Sequence, residues 1–261
     1  MSARERWSYI IEALSETGHI DVDDVAAALT VSSATVRRDL DRLAQQQLLT
    51  RTRGGAVSNS TAYDLPLRYN AQRNVPQKVS IAEAASARVA LGSVVAITGG
   101  TTTTEVARSL ALKSDVHASG NGPTLTIVTN AINIANELTV RTQLKLVVLG
   151  GVVRPQSYEL TGRLAELALA EISIDEAILG GNALDSRHGL SCHNEGEAAI
   201  ARAIAQNASR VTVVLDSSKL GKHAFGRVCN LTDINVLITD KDADPDIVAE
   251  FVQAGVEVIL A

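Results

Sequence analysis

The chain has 261 residues, 46% of them hydrophobic but only 3% aromatic, and a formal net charge of −5. That length favours two domains, with cores built on Val, Ile, Leu and Ala, and no apolar run of about 18 residues is present to span a membrane. Cys192 and Cys229 are too few for a disulfide framework and lack metal-ligand spacing; with no apolar signal segment near the N-terminus, the expected compartment is a reducing cytoplasm.

In chain order, Arg4 to Glu16 carries Trp7, Ile10, Ile11 and Leu14 at helical spacing. Asp21 then caps a short helix whose apolar face is Val22, Val25, Ala26 and Leu29. Only Thr30 and Val31 separate it from Ser32 and Ser33, either of which suits an N-cap. In the stretch Val31 to Leu43, Val36, Leu40 and Leu43 fall at i, i+4 and i+7 and form a stripe that must face a core. The other face and flanks present Ser33, Ala34, Thr35, Arg37, Arg38 and Arg42. Two helices joined by a tight turn, the second with a buried back and an arginine-bearing front, fit a helix-turn-helix with its reading helix in a DNA major groove. Leu48 to Val57 adds short β-prone runs around Gly54-Gly55, the wing of a winged helix, with Arg51 and Arg53 expected on phosphates. Five arginines (37, 38, 42, 51 and 53) stand against Asp39 and Asp41, so the acidic total hides a basic edge. Phosphate attraction is local and screened beyond roughly 10 Å, so placement matters more than the sum.

These motifs resemble the N-terminal domain of the deoxyribose operon repressor (DeoR) family of bacterial regulators. The residues that carry the resemblance are Val31-Ser-Ser-Ala-Thr-Val-Arg-Arg-Asp-Leu40 and Thr50-Arg-Thr-Arg-Gly-Gly-Ala56.

Residues 58–74 lose periodicity and read as a linker between a domain over 1–57 and one over 75–261. Lys78 to Leu91 resumes helical spacing. Short apolar runs suited to strands covered on both faces follow at Ser93–Ile97, Leu125–Thr129, Leu144–Leu149, Glu176–Leu179, Val211–Leu215, Val236–Thr239 and Val256–Leu260. Helical patterns fill the gaps at Glu105–Leu112, Asn133–Leu138, Leu164–Ile172, Glu195–Asn207 and Asp246–Ala254. This alternation predicts an α/β domain with a mostly parallel sheet, whose ligands sit beyond the carboxyl ends of the strands.

Those ends are informative. Thr98, Gly99, Gly100 and the run Thr101, Thr102, Thr103 and Thr104 open into a helix, a phosphate cradle by mechanism that lacks the lysine of a Walker loop. Asn130, Gly150, Gly151, Arg154, Asn182, Asp216 and Lys219 close other strands; small residues make room, cations attract anions and amides bond hydroxyls. The matching ligand is a small hydroxyl-rich anion, a sugar phosphate, and no cofactor is expected.

The resemblance to the DeoR family extends through this half, over Gly100 to Glu105, Val128 to Asn130, Leu149 to Gly151 with Arg154, Gly162, Asp175 to Asp185, Glu197-Ala198, Asp216 to Lys219 and Ile238 to Asp240. It implies a ribose 5-phosphate isomerase-like fold and a phosphorylated sugar as effector. It also aligns Lys78 with a frequent family lysine, which is expected to cap the pocket. One departure is Thr98, where the family commonly has an aspartate, and it is expected to change which hydroxyl is read.

An isomerase is the rival reading. Aldose–ketose isomerisation needs a carboxylate to shuttle a proton. The isomerases of this fold place three carboxylates where this chain has Leu179-Gly-Gly-Asn-Ala183. RNA binding is disfavoured by the shortage of aromatic platforms, and the pair Cys192-His193 is read as ordinary loop residues. The expectation is a non-enzymatic repressor that binds double-stranded operator DNA as a dimer or tetramer and answers to a sugar phosphate.

Overall fold

The computed structural model describes residues 2–45, 48–57, 67, 71, 73–113 and 123–261. Contacts divide the chain into two compact units, Met1–Leu65 and Pro66–Ala261. Most of the expected linker lies outside the described residues.

In the first unit, α1 (Ala3–Thr17) starts at a capping box in which Ser2 and Glu5 satisfy each other's backbone N–H groups, and it ends at Gly18 in the left-handed region. A short strand, β1 (His19–Asp21), leads into α2 (Val22–Leu29), with the Asp21 carboxylate accepting from the Asp23 N–H at 2.9 Å. The turn at Thr30 then delivers α3 (Ser33–Gln45). Ser32 provides the cap, accepting from the Thr35 N–H at 3.2 Å, while the Ser33 hydroxyl donates to Asp23 at 2.8 Å and ties α3 to α2. Val36, Leu40 and Leu43 are fully buried, as the spacing predicts, and Ile10, Ile11, Leu14, Val25 and Leu29 of α1 and α2 are buried with them. Strands β2 (Thr50–Arg51) and β3 (Gly55–Val57) make the wing, and β1 joins them in the order β1-β3-β2. The strands pack so closely that a Cβ on Gly55 would lie 1.8 Å from the Ile20 carbonyl oxygen.

The acids near the reading helix are not where a charge count leaves them. Asp39 is buried, and its carboxylate accepts from Arg6 Nε at 2.6 Å, Arg6 Nη2 at 3.2 Å and Trp7 Nε1 at 2.8 Å. It fastens α3 to α1 and does not oppose the exposed Arg37, Arg38 and Arg42. Removing it takes the buried carboxylate away from a guanidinium and an indole N–H, so Asp39→Ala should cost about 2–4 kcal/mol. Trp7 is the chain's only tryptophan, so its fluorescence during urea unfolding should show an earlier transition in the variant.

The second unit is built on a seven-stranded sheet in which every neighbouring pair is parallel. Its strands are β4 (Val94–Ile97), β5 (Leu125–Thr129), β6 (Leu144–Val148), β9 (Ile174–Leu179), β12 (Ala208–Val214), β14 (Val236–Thr239) and β15 (Glu257–Leu260). Alternate side chains enter two separate cores, because strand residues point alternately up and down. Val95, Ile97, Ile127, Ile178 and Ile238 join Ile81, Leu110 and Ile134 from α4 (Val75–Arg88), α5 (Thr101–Leu112) and α6 (Ile132–Leu138). Ala96, Val128, Ala177, Val213 and Leu237 join Leu169, Ile204 and Phe251 from α7 (Arg163–Leu169), α8 (Glu195–Gln206) and α9 (Pro245–Gln253). A hairpin of β7 (Val152–Arg154) with β8 (Glu159–Thr161) and a small antiparallel sheet of β10 (Ala183–Asp185), β11 (Gly189–Cys192) and β13 (Gly226–Cys229) complete the unit.

Strand order fixes where a ligand belongs. It runs β15-β14-β12-β9-β4-β5-β6, so the chain winds one way from β4 and the other way from β9. The crossovers leave a crevice beyond the carboxyl ends of β4 and β9, the usual place for a ligand in an open parallel sheet.

Candidate functional site

Two glycine-containing loops meet at that crevice. The Thr98 hydroxyl, buried at the end of β4, accepts the Gly180 N–H at 3.0 Å and joins the loop after β4 to the loop after β9. Thr98 is therefore a bridge between loops. Gly100 caps α5 without a side-chain acceptor. Thr101 to Thr104 form the first turn of that helix, whereas the sequence pattern starts it at Glu105. The Thr103 and Thr104 hydroxyls both return to the Gly100 carbonyl, at 3.1 and 2.6 Å, and Thr104 also accepts from Asn133 at 2.9 Å. Thr102 has a buried hydroxyl. The cradle thus offers backbone N–H groups and the helix dipole, with most of its hydroxyls turned inward.

Above this loop the structure gathers cations. Lys219, in a single 3₁₀ turn after β12, donates to the Gly181 carbonyl at 2.8 Å. Lys78, in the first turn of α4, is buried and donates to the Arg73 carbonyl at 2.5 Å. Asp216 lies between them, buried, accepting from Asn74 at 3.0 Å and from Ser218. Burial, then the nearby positive charge of Lys219, pull the Lys78 ammonium down to about 8, against the attraction of Asp216. Burial lowers Lys219 as well, and Asp216 only partly offsets it. Asp216 itself is held below the usual carboxylate range; burial alone would raise it, but Lys219, Ser218, Asn74 and Lys78 stabilise its charge. Asp216 thus faces two buried amines, with Arg73 adding positive charge near both and Glu105 negative charge near Lys78, an arrangement a bound anion relieves.

A buried acid that the sequence did not single out lies below the loop. Glu159, on β8, packs so tightly under Gly99 that a Cβ there would come within 2.3 Å of its side chain. Its carboxyl accepts from Asn130 at 2.8 Å. Burial first, then the charge of Glu197, push Glu159 up to about 8, while Asn130, Arg154 and the Gly99 N–H pull the other way. Glu197 is 3.5 Å from Arg154 Nε, so that arginine faces carboxylates. Burial and the same two acids also push the Cys192 thiol far up, which keeps it neutral and unreactive. His193 is lowered by burial and Lys219.

Other expected residues take different places. Asn182 uses its side-chain oxygen to accept the His193 N–H at 3.0 Å. Gly150 and Gly151 follow the edge strand β6, two strands from β4. A Cβ on Gly151 would lie 2.6 Å from the Thr161 carbonyl, so close backbone approach explains that glycine. In the first unit, Arg51, a phosphate contact on the sequence pattern, is engaged within the protein. Its Nε bonds Asp41 at 2.9 Å and its Nη1 the Gly55 carbonyl at 2.7 Å, so it braces the wing against α3. Ser33, Ala34, Thr35, Arg37, Arg38, Arg42 and Arg53 are exposed or half-buried.

The sequence profile of the DeoR C-terminal sensor domain matches residues 73–241, and that of the DeoR-like helix-turn-helix domain matches residues 6–62. The chain belongs to the DeoR family. Among its DeoR-family relatives, the HTH-type transcriptional regulator GlpR of Haloferax volcanii is 34% identical over 99% of this chain and 98% of its own length. The glycerol-3-phosphate regulon repressor of Escherichia coli K12 is 30% identical over 92% of each chain. Ribose 5-phosphate isomerase A from Methanocaldococcus jannaschii aligns with 56% of this DeoR-family chain and 55% of its own, at 20% identity and a TM-score of 0.42. No helix among the described residues is long and apolar enough to cross a membrane.

Glu159 gives this site a pH signature. An acid whose value rises from 4.5 unfolded to about 8 folded takes up a proton on folding within that window. Its contribution to stability is complete below the unfolded value and is lost as pH climbs through about 8. Glu159→Gln cannot titrate, so calorimetric Tm should fall less steeply in the variant than in the parent between about pH 5 and 8.5. Parallel curves would contradict the assignment.

Proposed function

We propose that this protein is a cytoplasmic transcriptional repressor whose grip on operator DNA is governed by a phosphorylated sugar bound at the β4/β9 crevice. The observation that carries the reading is the excess of buried ammonium over carboxylate at Lys78, Lys219 and Asp216, beside the helix N-terminus at Gly100. A phosphate seated there meets two cations, the α5 dipole and glycines that admit it closely. Gly99, Gly100 and Thr101 would form the cradle, with Lys78 and Lys219 on the phosphate and Asp216, Asn130 and Asn182 within the polar surround that reads hydroxyls. The relative named as a glycerol-3-phosphate regulon repressor supports a phosphorylated carbon source as effector.

Chemistry on the sugar is not part of this reading. The loop after β9, Gly180-Gly181-Asn182, carries no carboxylate to move a proton between carbons. Glu159 is packed beneath Gly99 and engaged with Asn130. Its place is that of a support under the loop.

For DNA, exposed Arg37, Arg38 and Arg42 on α3 would enter the major groove, and Arg53 at the wing tip would meet the backbone. One winged helix covers too little DNA for useful specificity, so the working form is a homo-oligomer on repeated half-sites. Val152 and Val153 on β7 and Leu164 and Leu167 on the adjacent α7 are exposed and offer apolar surface for self-association.

Two variants separate the halves. Arg38→Ala should lower operator affinity at least tenfold in a gel-shift or anisotropy titration, while thermal stabilisation by a panel of sugar phosphates is unchanged. Lys219→Ala should leave operator affinity intact and remove the thermal shift together with the effector response. A Lys219→Ala protein that still responds to sugar phosphate, or an Arg38→Ala protein that loses both properties, would refute the proposed division of labour.

A further inference from the structure

Outside the crevice, a turn and a loop bring Asp185, His188 and His223 together. One donor atom from each lies within 4.8 Å of the other two. We propose that this cluster is a divalent transition-metal site, with zinc as the best-matched ion, formed by two imidazoles and one carboxylate.

The geometry starts with Asp185, at the end of β10. Its Oδ1 accepts the backbone N–H groups of Arg187, at 3.0 Å, and of His188. That leaves Oδ2 fixed and turned toward both rings, 2.8 Å from His188 Nδ1 and 3.8 Å from His223 Nδ1. Tetrahedral zinc with bonds of roughly 2.0–2.1 Å holds its ligand atoms about 3.3 Å apart, between those two separations. The carboxylate is thus positioned by backbone donors, as ligating carboxylates are in metal sites.

The two segments that carry the histidines are anchored to each other. Leu184 bridges to Leu220, and the Gly221 N–H donates to the Leu184 carbonyl at 2.9 Å. The far end of the loop is held where the Ala224 N–H reaches Ser191 at 2.9 Å. Lys222, the cation between the anchors, turns away and donates to the Ser218 carbonyl at 2.8 Å. Lys222 is therefore committed outside the cluster.

A simple ion pair does not account for the second histidine. His188 alone satisfies Asp185. The rings of His188 and His223 lie with centroids 4.7 Å apart and planes tilted by 33°. Three protein ligands leave a fourth position for water. The ion would staple the β10–β11 turn to the loop that follows Lys219.

The test uses the full-length, tag-free protein titrated with Zn²⁺ and Co²⁺. About one equivalent should bind with a rise in Tm, and the Co²⁺ spectrum should lack a thiolate charge-transfer band, which excludes the cysteines. His223→Ala and His188→Ala should each weaken binding at least roughly tenfold. Asp185→Asn, which keeps the Oδ1 acceptor for the turn, should do the same. Absence of binding at submillimolar metal, a thiolate band, or undiminished affinity in the histidine variants would overturn the proposal.

Discussion

Two ammonium groups are buried around one carboxylate, and the second unit makes most physical sense as a consequence. Lys78 comes from the helix before the first strand, and Lys219 and Asp216 come from the segment after the fifth strand in chain order. They meet only because β4 and β9 are neighbours where the winding reverses. Burial pushes both lysines toward the neutral form. A doubly negative phosphate restores their charge, so binding energy is gained from groups already placed and already desolvated. The same crowding argues against a neutral ligand, which would leave the imbalance in place.

Control of DNA binding asks little of such a site. A tenfold change in operator affinity needs the effector to favour one state by only about 1.4 kcal/mol. The reading unit is organised with comparable economy. Asp39, one of the two acids among the exposed arginines of α3 in a naive count, is withdrawn into the bond with Arg6 and Trp7. Asp41 is engaged by Arg51. The local field at α3 is therefore more positive than the sequence suggests, although the whole chain is acidic.

Much of the framework was legible from periodicity alone. Leu125–Thr129 and Val236–Thr239 are strands with the expected bounds, because short apolar runs flanked by polar residues have few alternatives. The stripe Val36, Leu40, Leu43 marked the buried face of α3 for the same reason. What escaped was set by tertiary contact. β1 has three residues and exists by pairing with β3. The start of α5 was placed four residues late because glycine and β-branched threonine disguise a helical turn. Nothing local in the sequence reveals that Asp41 and the Gly55 carbonyl engage Arg51. Glu159 gave no signal at all: its burial arises only when the β7–β8 hairpin folds under Gly99.

The lysines that would hold a phosphorylated ligand bind their protons loosely before it arrives. Calorimetric titration at pH 8 of the sugar phosphate that gives the largest thermal shift, repeated in buffers of different ionisation enthalpy, measures this directly. Lys78, near its own pKa of about 8, should take up a proton as the anion binds. Net uptake on binding, abolished by Lys78→Met, is the predicted result; binding with no proton exchange, or with release, would contradict the account.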